Sequence, residues 1–193
     1  LKTIPIKLPK FDGIASSPTF HPSGDSIALT IPKQGNKDIY LYNFKSKNLK
    51  RLTKNISIDT EASFSPDGNS IAFTSNRTGQ VQVYIKDLNS GKISRATFEG
   101  RYNAKPVFSP DGKDLALIHR VDKDYRVALL DIKSRDLTVM TRNKSDESPY
   151  FSPNGGMIIF STNRDNKGIL SIISLHNNQI VELMQKTGEV REP

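Results

Sequence analysis

The side chains that could do chemistry in this 193-residue sequence are three histidines and several closely spaced carboxylates. His21, His119 and His176 do not have the spacing of metal ligands, and we interpret each as a surface residue, His119 at the end of a strand. The sequence contains no HExxH, GxSxG, GxGxxG or GxxxxGK[ST] motif. It also contains no cysteine, which excludes disulfides, thiolate zinc sites and cysteine nucleophiles.

The carboxylates occur as pairs, and such pairs can bind a hard cation or act as a general acid and base. They are Asp59 with Glu61, Asp122 with Asp124, and Asp146 with Glu147. No further oxygen ligands are fixed around them by the sequence, so the pattern favours solvated loop charge. We therefore predict that this chain is not an enzyme and has no required cofactor.

The dominant pattern is a repeated turn. FSPDG stands at Phe64 and again at Phe108, FSPNG at Phe151 and FHPSG at Phe20, with steps of 44, 44 and 43 residues. Pro presets the backbone of such a turn, Asp or Asn bonds to nearby backbone, and Gly tolerates positive φ. A period of this length is typical of β-propeller blades, each a four-stranded sheet.

Alternating apolar runs follow every turn, for example NSIAFTSN and VQVYIKDL, and shorter runs such as ISRAT end each unit. The sequence predicts an all-β fold, a propeller of four-stranded antiparallel blades at residues 14–53, 58–97, 102–141 and 146–185. Residues 1–9 predict the outer strand of a preceding blade and 186–193 the start of a closing strand. The chain would then be one propeller segment of a larger ring, with a closed four-bladed ring as the alternative.

Charge and composition restrict the partners. The net charge is +8, but Lys and Arg are scattered, and the densest stretch is KSKNLKR at 45–51. The sequence has no nucleic-acid-binding motif and no Trp platform, so it predicts no nucleic-acid partner and leaves an acidic protein open. No apolar run approaches the roughly 20 residues of a membrane span, so membrane insertion is not expected.

The loops that lead into each inner strand differ between repeats, whereas the turns are repetitive. Variable loops on a rigid scaffold usually carry recognition. We therefore predict a partner-binding rim at the channel mouth, formed by Ser16, Ser17, Thr60, Glu61, Ala104, Lys105, Asp146 and Glu147.

The segments FSPDGNSIAFTSNRTGQVQVYIKDLNSGKISRATFEG and DESPYFSPNGGMIIFSTNRDNKGILSIISL resemble the C-terminal β-propeller of the TolB family, and the resemblance covers almost the whole chain. Members of this family are periplasmic components of the Tol–Pal cell-envelope system of Gram-negative bacteria. The resemblance implies about four blades of a six-bladed ring and a periplasmic location.

The resemblance also implies partners. The peptidoglycan-associated lipoprotein Pal would bind at the predicted rim, colicins could use the same face, and TolA would bind through an N-terminal domain outside this chain. A cation in the channel is possible. We expect Glu61→Arg to weaken Pal binding without lowering the melting temperature. The alternative function is the substrate-gating propeller of a prolyl-oligopeptidase-type serine peptidase.

Overall fold

The computed structural model describes residue 8, residues 11–164 and residues 167–183, with only the backbone described at position 164. These residues form sixteen strands and no helix, hence no helix that could cross a membrane. In chain order the strands are β1 (Ser16–Phe20), β2 (Ser26–Lys33), β3 (Asn36–Asn43), β4 (Leu49–Arg51), β5 (Asp59–Phe64), β6 (Ser70–Ser75), β7 (Gln82–Asp87), β8 (Ile93–Arg95), β9 (Asn103–Phe108), β10 (Asp114–Val121), β11 (Asp124–Asp131), β12 (Leu137–Val139), β13 (Asp146–Phe151), β14 (Met157–Arg164), β15 (Lys167–Ser174) and β16 (Ile180–Leu183).

The strands form four separate antiparallel sheets of four consecutive strands each. The first sheet packs on the second, the second on the third and the third on the fourth, and the inner strands β1, β5, β9 and β13 lie side by side. The predicted all-β propeller architecture is confirmed. The predicted strands at 1–9 and 186–193 lie outside the described residues, apart from Leu8, as do positions 184 and 185 of the last predicted blade.

The core consists of three apolar layers, one between each pair of neighbouring sheets. Strand β10 shows how period-two alternation builds them, because its successive side chains point to opposite faces. Leu115 and Leu117 pack with the second sheet, whereas Ala116 and Ile118 pack with the fourth. Both sides of the strand are buried, and full burial of one such Leu or Ile side chain contributes about 1.5–3 kcal/mol.

The phenylalanine at the start of each repeated turn belongs to these layers in three of the four blades. Phe64, Phe108 and Phe151 are between 5% and 9% exposed and pack with the sheet that precedes their own. Phe20 belongs to the first sheet, where no described sheet covers that side, and it is 65% exposed.

The repeated turns also connect the blades. Ser65 Oγ donates a hydrogen bond to Asp67 Oδ1 and accepts one from the backbone N–H of Ser70. The bond from Ser65 Oγ and those from Asn69 lower the pKa of Asp67 to about 2. The turn glycines adopt φ values of 72–75°, and side chains of the preceding blade's turn pack against three of them. His21 packs against Gly68 in this way, and Pro66 packs against Gly112.

Candidate functional site

The inner strands line one cavity of about 1260 Å³. Antiparallel connection places all four strand beginnings at one end, the channel-mouth face, and the FSPDG-type turns at the other, the turn face. The side chains that line the mouth are polar, as at Glu61 and Lys105, whereas Pro, Phe and Val side chains line the cavity nearer the turns. The cavity is thus a polar opening above an apolar interior.

Each inner strand contains a β-bulge near the channel mouth, where its pairing with the second strand shifts. The bulged residues are Ser17, Glu61, Lys105 and Ser148, and their φ values are 50°, 56°, 52° and 51°. A bulge twists its strand and redirects a side chain. The sequence does not predict these bulges, because the four positions share no residue type and none is glycine.

Hydrogen bonds link the bulges of the second, third and fourth sheets. Glu61 Oε2 accepts a bond from Thr74 Oγ1 (2.8 Å) and one from the backbone N–H of Lys105 (3.3 Å). The same N–H also lies 3.0 Å from Thr74 Oγ1. Lys105 Nζ donates to Ser148 Oγ (3.3 Å) and lies 4.0 Å from a carboxylate oxygen of Glu147. The predicted rim residues Glu61, Lys105 and Glu147 therefore belong to one continuous network.

The other predicted rim residues have different environments. Ser16 is exposed and Ser17 half-buried, and both line the cavity. Thr60 Oγ1 lies 3.3 Å from Thr30 Oγ1 of the first sheet, so it bridges two sheets. Ala104 and Asp146 are 1% and 0% exposed, and they therefore support the rim from below instead of offering contact surface.

Asp146 is held by hydrogen bonds from Thr141 Oγ1 and from Asn143 Nδ2 (3.1 Å). Thr141 Oγ1 in turn accepts the backbone N–H of Val127 (3.0 Å). Equivalent threonines accept the corresponding backbone N–H in the two preceding blades: Thr53 Oγ1 accepts from Ile39, and Thr97 Oγ1 accepts from Val83. Their spacing of 44 residues is the sequence signal that could have revealed this clasp between an outer strand and its neighbours.

An ion pair fixes the loop that enters the second sheet. Arg77 Nη2 donates to both carboxylate oxygens of Asp59 at 3.0 Å, and Asp59 is fully buried. The guanidinium carbon lies 5.1 Å and 4.7 Å from the ring centres of Phe73 and Tyr84. The Arg77 side chain is itself only 14% exposed, so the pair is a positioning element of the channel-mouth face.

His119 has a comparable place in the third sheet, and its interpretation as a surface residue at a strand end is wrong. It lies within β10, is 8% exposed, and its Nδ1–H donates to Asn103 Oδ1 at 2.8 Å. Burial lowers its pKa, although the nearby Glu99 charge opposes the shift. The ring fits against Gly100, where an added Cβ would come within 2.6 Å of Cε1.

No three His, Asp or Glu side chains of the described part of the chain gather where they could hold one metal ion. We therefore assign no ligand set to the channel cation that the resemblance allows.

The family model of the TolB β-propeller domain matches residues 2–193. The chain belongs to this family. The Tol-Pal system protein TolB of Ruthia magnifica subsp. Calyptogena magnifica is 66% identical over 187 residues, which are 97% of this chain and 44% of that protein. The crystal structure of TolB from Acinetobacter baumannii superimposes with a TM-score of 0.85 and 41% identity, covering 91% of this chain and 44% of that one.

This TolB-family propeller thus spans about half the length of the curated relatives it matches. The structure of prolyl endopeptidases shares its fold alone, with a TM-score of 0.65 and 14% identity over 90% of this chain and 30% of that one. The high-identity relatives are named for TolB and not for a peptidase. Their name links this TolB propeller to the Tol–Pal system and leaves its individual partners to be proposed.

Proposed function

We propose that this propeller is a non-enzymatic interaction scaffold of the Tol–Pal system that binds a Pal-like lipoprotein domain on its channel-mouth face. In this role it supports outer-membrane integrity and cell division. The proposal combines TolB-family membership with the chemistry of that face. Its contact residues are the accessible part of the predicted rim, namely Ser16, Ser17, Thr60, Glu61, Lys105 and Glu147.

The observation that carries the proposal is the contrast between the two ends of each inner strand. In the FSPDG-type turn that follows the strand, the left-handed position is a glycine, such as Gly68 or Gly112, which adopts positive φ without steric cost. On the channel-mouth face the bulges place Glu61, Lys105 and two serines in the same backbone region. A non-glycine residue there costs about 1–3 kcal/mol, and such strain concentrates at functional sites.

The polarity of the mouth suits a wet, polar protein interface. Glu147 has a side chain that is 58% exposed, and Lys105 is 31% exposed, so both can exchange their mutual contact for a partner. The net charge of +8 favours an acidic partner and would speed encounter more than it raises affinity.

The remaining expectations from family membership belong to the same proposal. The protein would act in the periplasm, TolA would bind through an N-terminal domain outside this chain, and colicins could compete for the channel-mouth face. These four blades would belong to a six-bladed ring.

The test is calorimetric titration of the full-length protein with the soluble domain of Pal from the same organism. The informative variant is Glu147→Arg, because this side chain is exposed and only weakly paired. Its matched control is Asp136→Arg, which makes the same charge change at an exposed position on the turn face.

We expect Glu147→Arg to weaken binding at least tenfold and Asp136→Arg to leave it unchanged, with equal melting temperatures for both variants. Absence of Pal binding by the folded wild-type protein would refute the proposal. If both variants weaken Pal binding equally, the channel-mouth face is not the binding site.

A further inference from the structure

The first sheet has a charge distribution unlike that of the other three. Residues 33–54 contain seven Lys and Arg residues and one acidic residue, Asp38. Asp38 is 1% exposed and bonded to Arg51, so it neutralises none of the lysines. The six lysines are all exposed, and none forms an ion pair with a described residue: Lys33, Lys37, Lys45, Lys47, Lys50 and Lys54.

The topology arranges these lysines along the outer edge of the first sheet. Lys33 and Lys37 flank the β2–β3 connection at one end, together with Lys54 just beyond β4. Lys50 lies on β4, the outermost strand, and Lys45 and Lys47 lie in the β3–β4 turn at the other end. Because β3 runs the whole distance with eight residues, this basic edge is about 25 Å long.

The turn that carries two of the lysines is ordered. The backbone N–H and the hydroxyl of Ser46 both donate to Asn43 Oδ1, at 2.9 Å and 3.0 Å. Lys45 and Lys47 flank Ser46, so their backbone is held in place by these two hydrogen bonds.

Protection against edge-to-edge sheet pairing is the structural explanation for lysines on an outer strand. The other outer strands contain no lysine, since β8 has the sequence ISR, β12 has LTV and β16 has IVEL. Edge protection would also require charge on β4 only, whereas five of the six lysines lie beyond the two ends of that strand. The concentration of charge in one blade therefore calls for a partner.

The chemistry of the edge indicates what that partner is. Every exposed residue between Lys33 and Lys54 is polar or glycine, and the next exposed apolar side chain along the chain is Ile56. The segment itself therefore offers charge and not a cluster of aromatic anchors of the kind that dominates protein interfaces. Lysines are mobile point charges that attract a spread of negative charge without fixed geometry. An anionic membrane surface presents such charge and attracts each nearby lysine.

We propose that the basic edge docks the propeller against a membrane surface that carries anionic phosphate headgroups. The edge lies on the circumference of the propeller, so docking there leaves both the channel-mouth face and the turn face uncovered. The edge reaches the channel-mouth end only at Lys33, Lys37 and Lys54, so Lys45, Lys47 and Lys50 lie apart from the surface proposed for Pal.

The experiment is flotation of the full-length protein with vesicles of phosphatidylcholine alone and with vesicles that also contain phosphatidylglycerol. We expect binding to the mixed vesicles only, and loss of binding as salt is raised. The test variant replaces Lys45, Lys47 and Lys50 with Gln. The matched control replaces Lys92, Lys123 and Lys133, which are exposed on other blades, in the same way.

One membrane-proximal lysine contributes about a fivefold change in affinity, so the test variant should bind about a hundredfold more weakly. The control variant should bind like the wild type, and calorimetry with Pal should give the same affinity for all three proteins. Equal losses in both variants, or equal binding to neutral vesicles, would overturn the proposal. Failure to bind mixed vesicles together with binding of soluble polyglutamate at the same lysines would replace it with an acidic polypeptide partner.

Discussion

Glu61 and Lys105, which occupy the same position in successive repeats, are joined by a hydrogen bond from the backbone N–H of Lys105 to a carboxylate oxygen of Glu61. Thr74 Oγ1 donates to that oxygen as well. The bond connects the bulges of neighbouring blades at the channel mouth. Glu61 is thus both a rim residue and a structural link between the second and third sheets.

This link changes the expected effect of mutating Glu61. The sequence predicts that Glu61→Arg weakens Pal binding without lowering the melting temperature, but the structure argues against the second half. We expect Glu61→Ala to lower the free energy of unfolding by about 1–3 kcal/mol, because Thr74 Oγ1 loses its acceptor and the backbone N–H of Lys105 keeps only Thr74 Oγ1. Urea unfolding of the full-length protein measures this, and Glu147→Ala is the control because its side chain is exposed. Equal stabilities of the two variants would contradict the structural role of Glu61.

Two turn glycines allow blade packing to be separated from backbone strain. Gly24 and Gly68 have φ values of 75° and 72°, but an added Cβ meets nothing at Gly24 and lies 2.4 Å from His21 Nε2 at Gly68. Gly24→Ala should cost about 1–2 kcal/mol of stability through the left-handed backbone alone. Gly68→Ala should cost more, and adding His21→Ala should restore part of the difference. If both single variants lose the same stability, the His21 ring does not join the two turns.

The Asp59–Arg77 pair should be the strongest single polar contribution to the channel-mouth face. Removal of one partner leaves an uncompensated buried charge, so Arg77→Ala should destabilise the protein by about 3–5 kcal/mol. Arg51→Ala is the matched comparison, since its pair with Asp38 is more exposed, and we expect a smaller loss. Thermal unfolding followed by circular dichroism measures both. If Arg77→Ala loses no more stability than Arg51→Ala, burial of the Asp59–Arg77 pair does not make protein stability more sensitive to its removal.

His119 should make the stability of the protein depend on pH. Because burial lowers its pKa in the folded state, the unfolded chain binds the proton more readily. The His119 contribution is therefore fully present above the unfolded pKa of about 6.5 and is lost as the pH falls below it. Urea unfolding between pH 8 and pH 5 should show a steeper loss in the wild type than in His119→Gln. Parallel curves would mean that His119 binds its proton equally well in the folded and unfolded states.

The repeat made the architecture predictable, because Phe and Gly at fixed steps set the turns and alternating residues set the strands. The bulges were not predictable from one sequence, since Ser17, Glu61, Lys105 and Ser148 have no residue type in common. The burial of His119 was missed for a different reason. Its contacts with Asn103 and Gly100 form only when β9 and the loop before it fold against β10. The basic edge was not predicted from composition, because the net charge is a sum over the whole chain. It does not show that one blade is basic while positive and negative charges nearly cancel in the other three.

Hydrogen–deuterium exchange of the full-length protein, with and without the soluble domain of Pal, tests the location of the binding site most directly. Binding on the channel-mouth face predicts slower exchange in the connections that precede the inner strands, at residues 54–58, 98–102 and 142–145. The FSPDG-type turns at the opposite end should exchange at the same rate in both samples. Protection of those turns, with unchanged exchange in the three connections, would contradict the account.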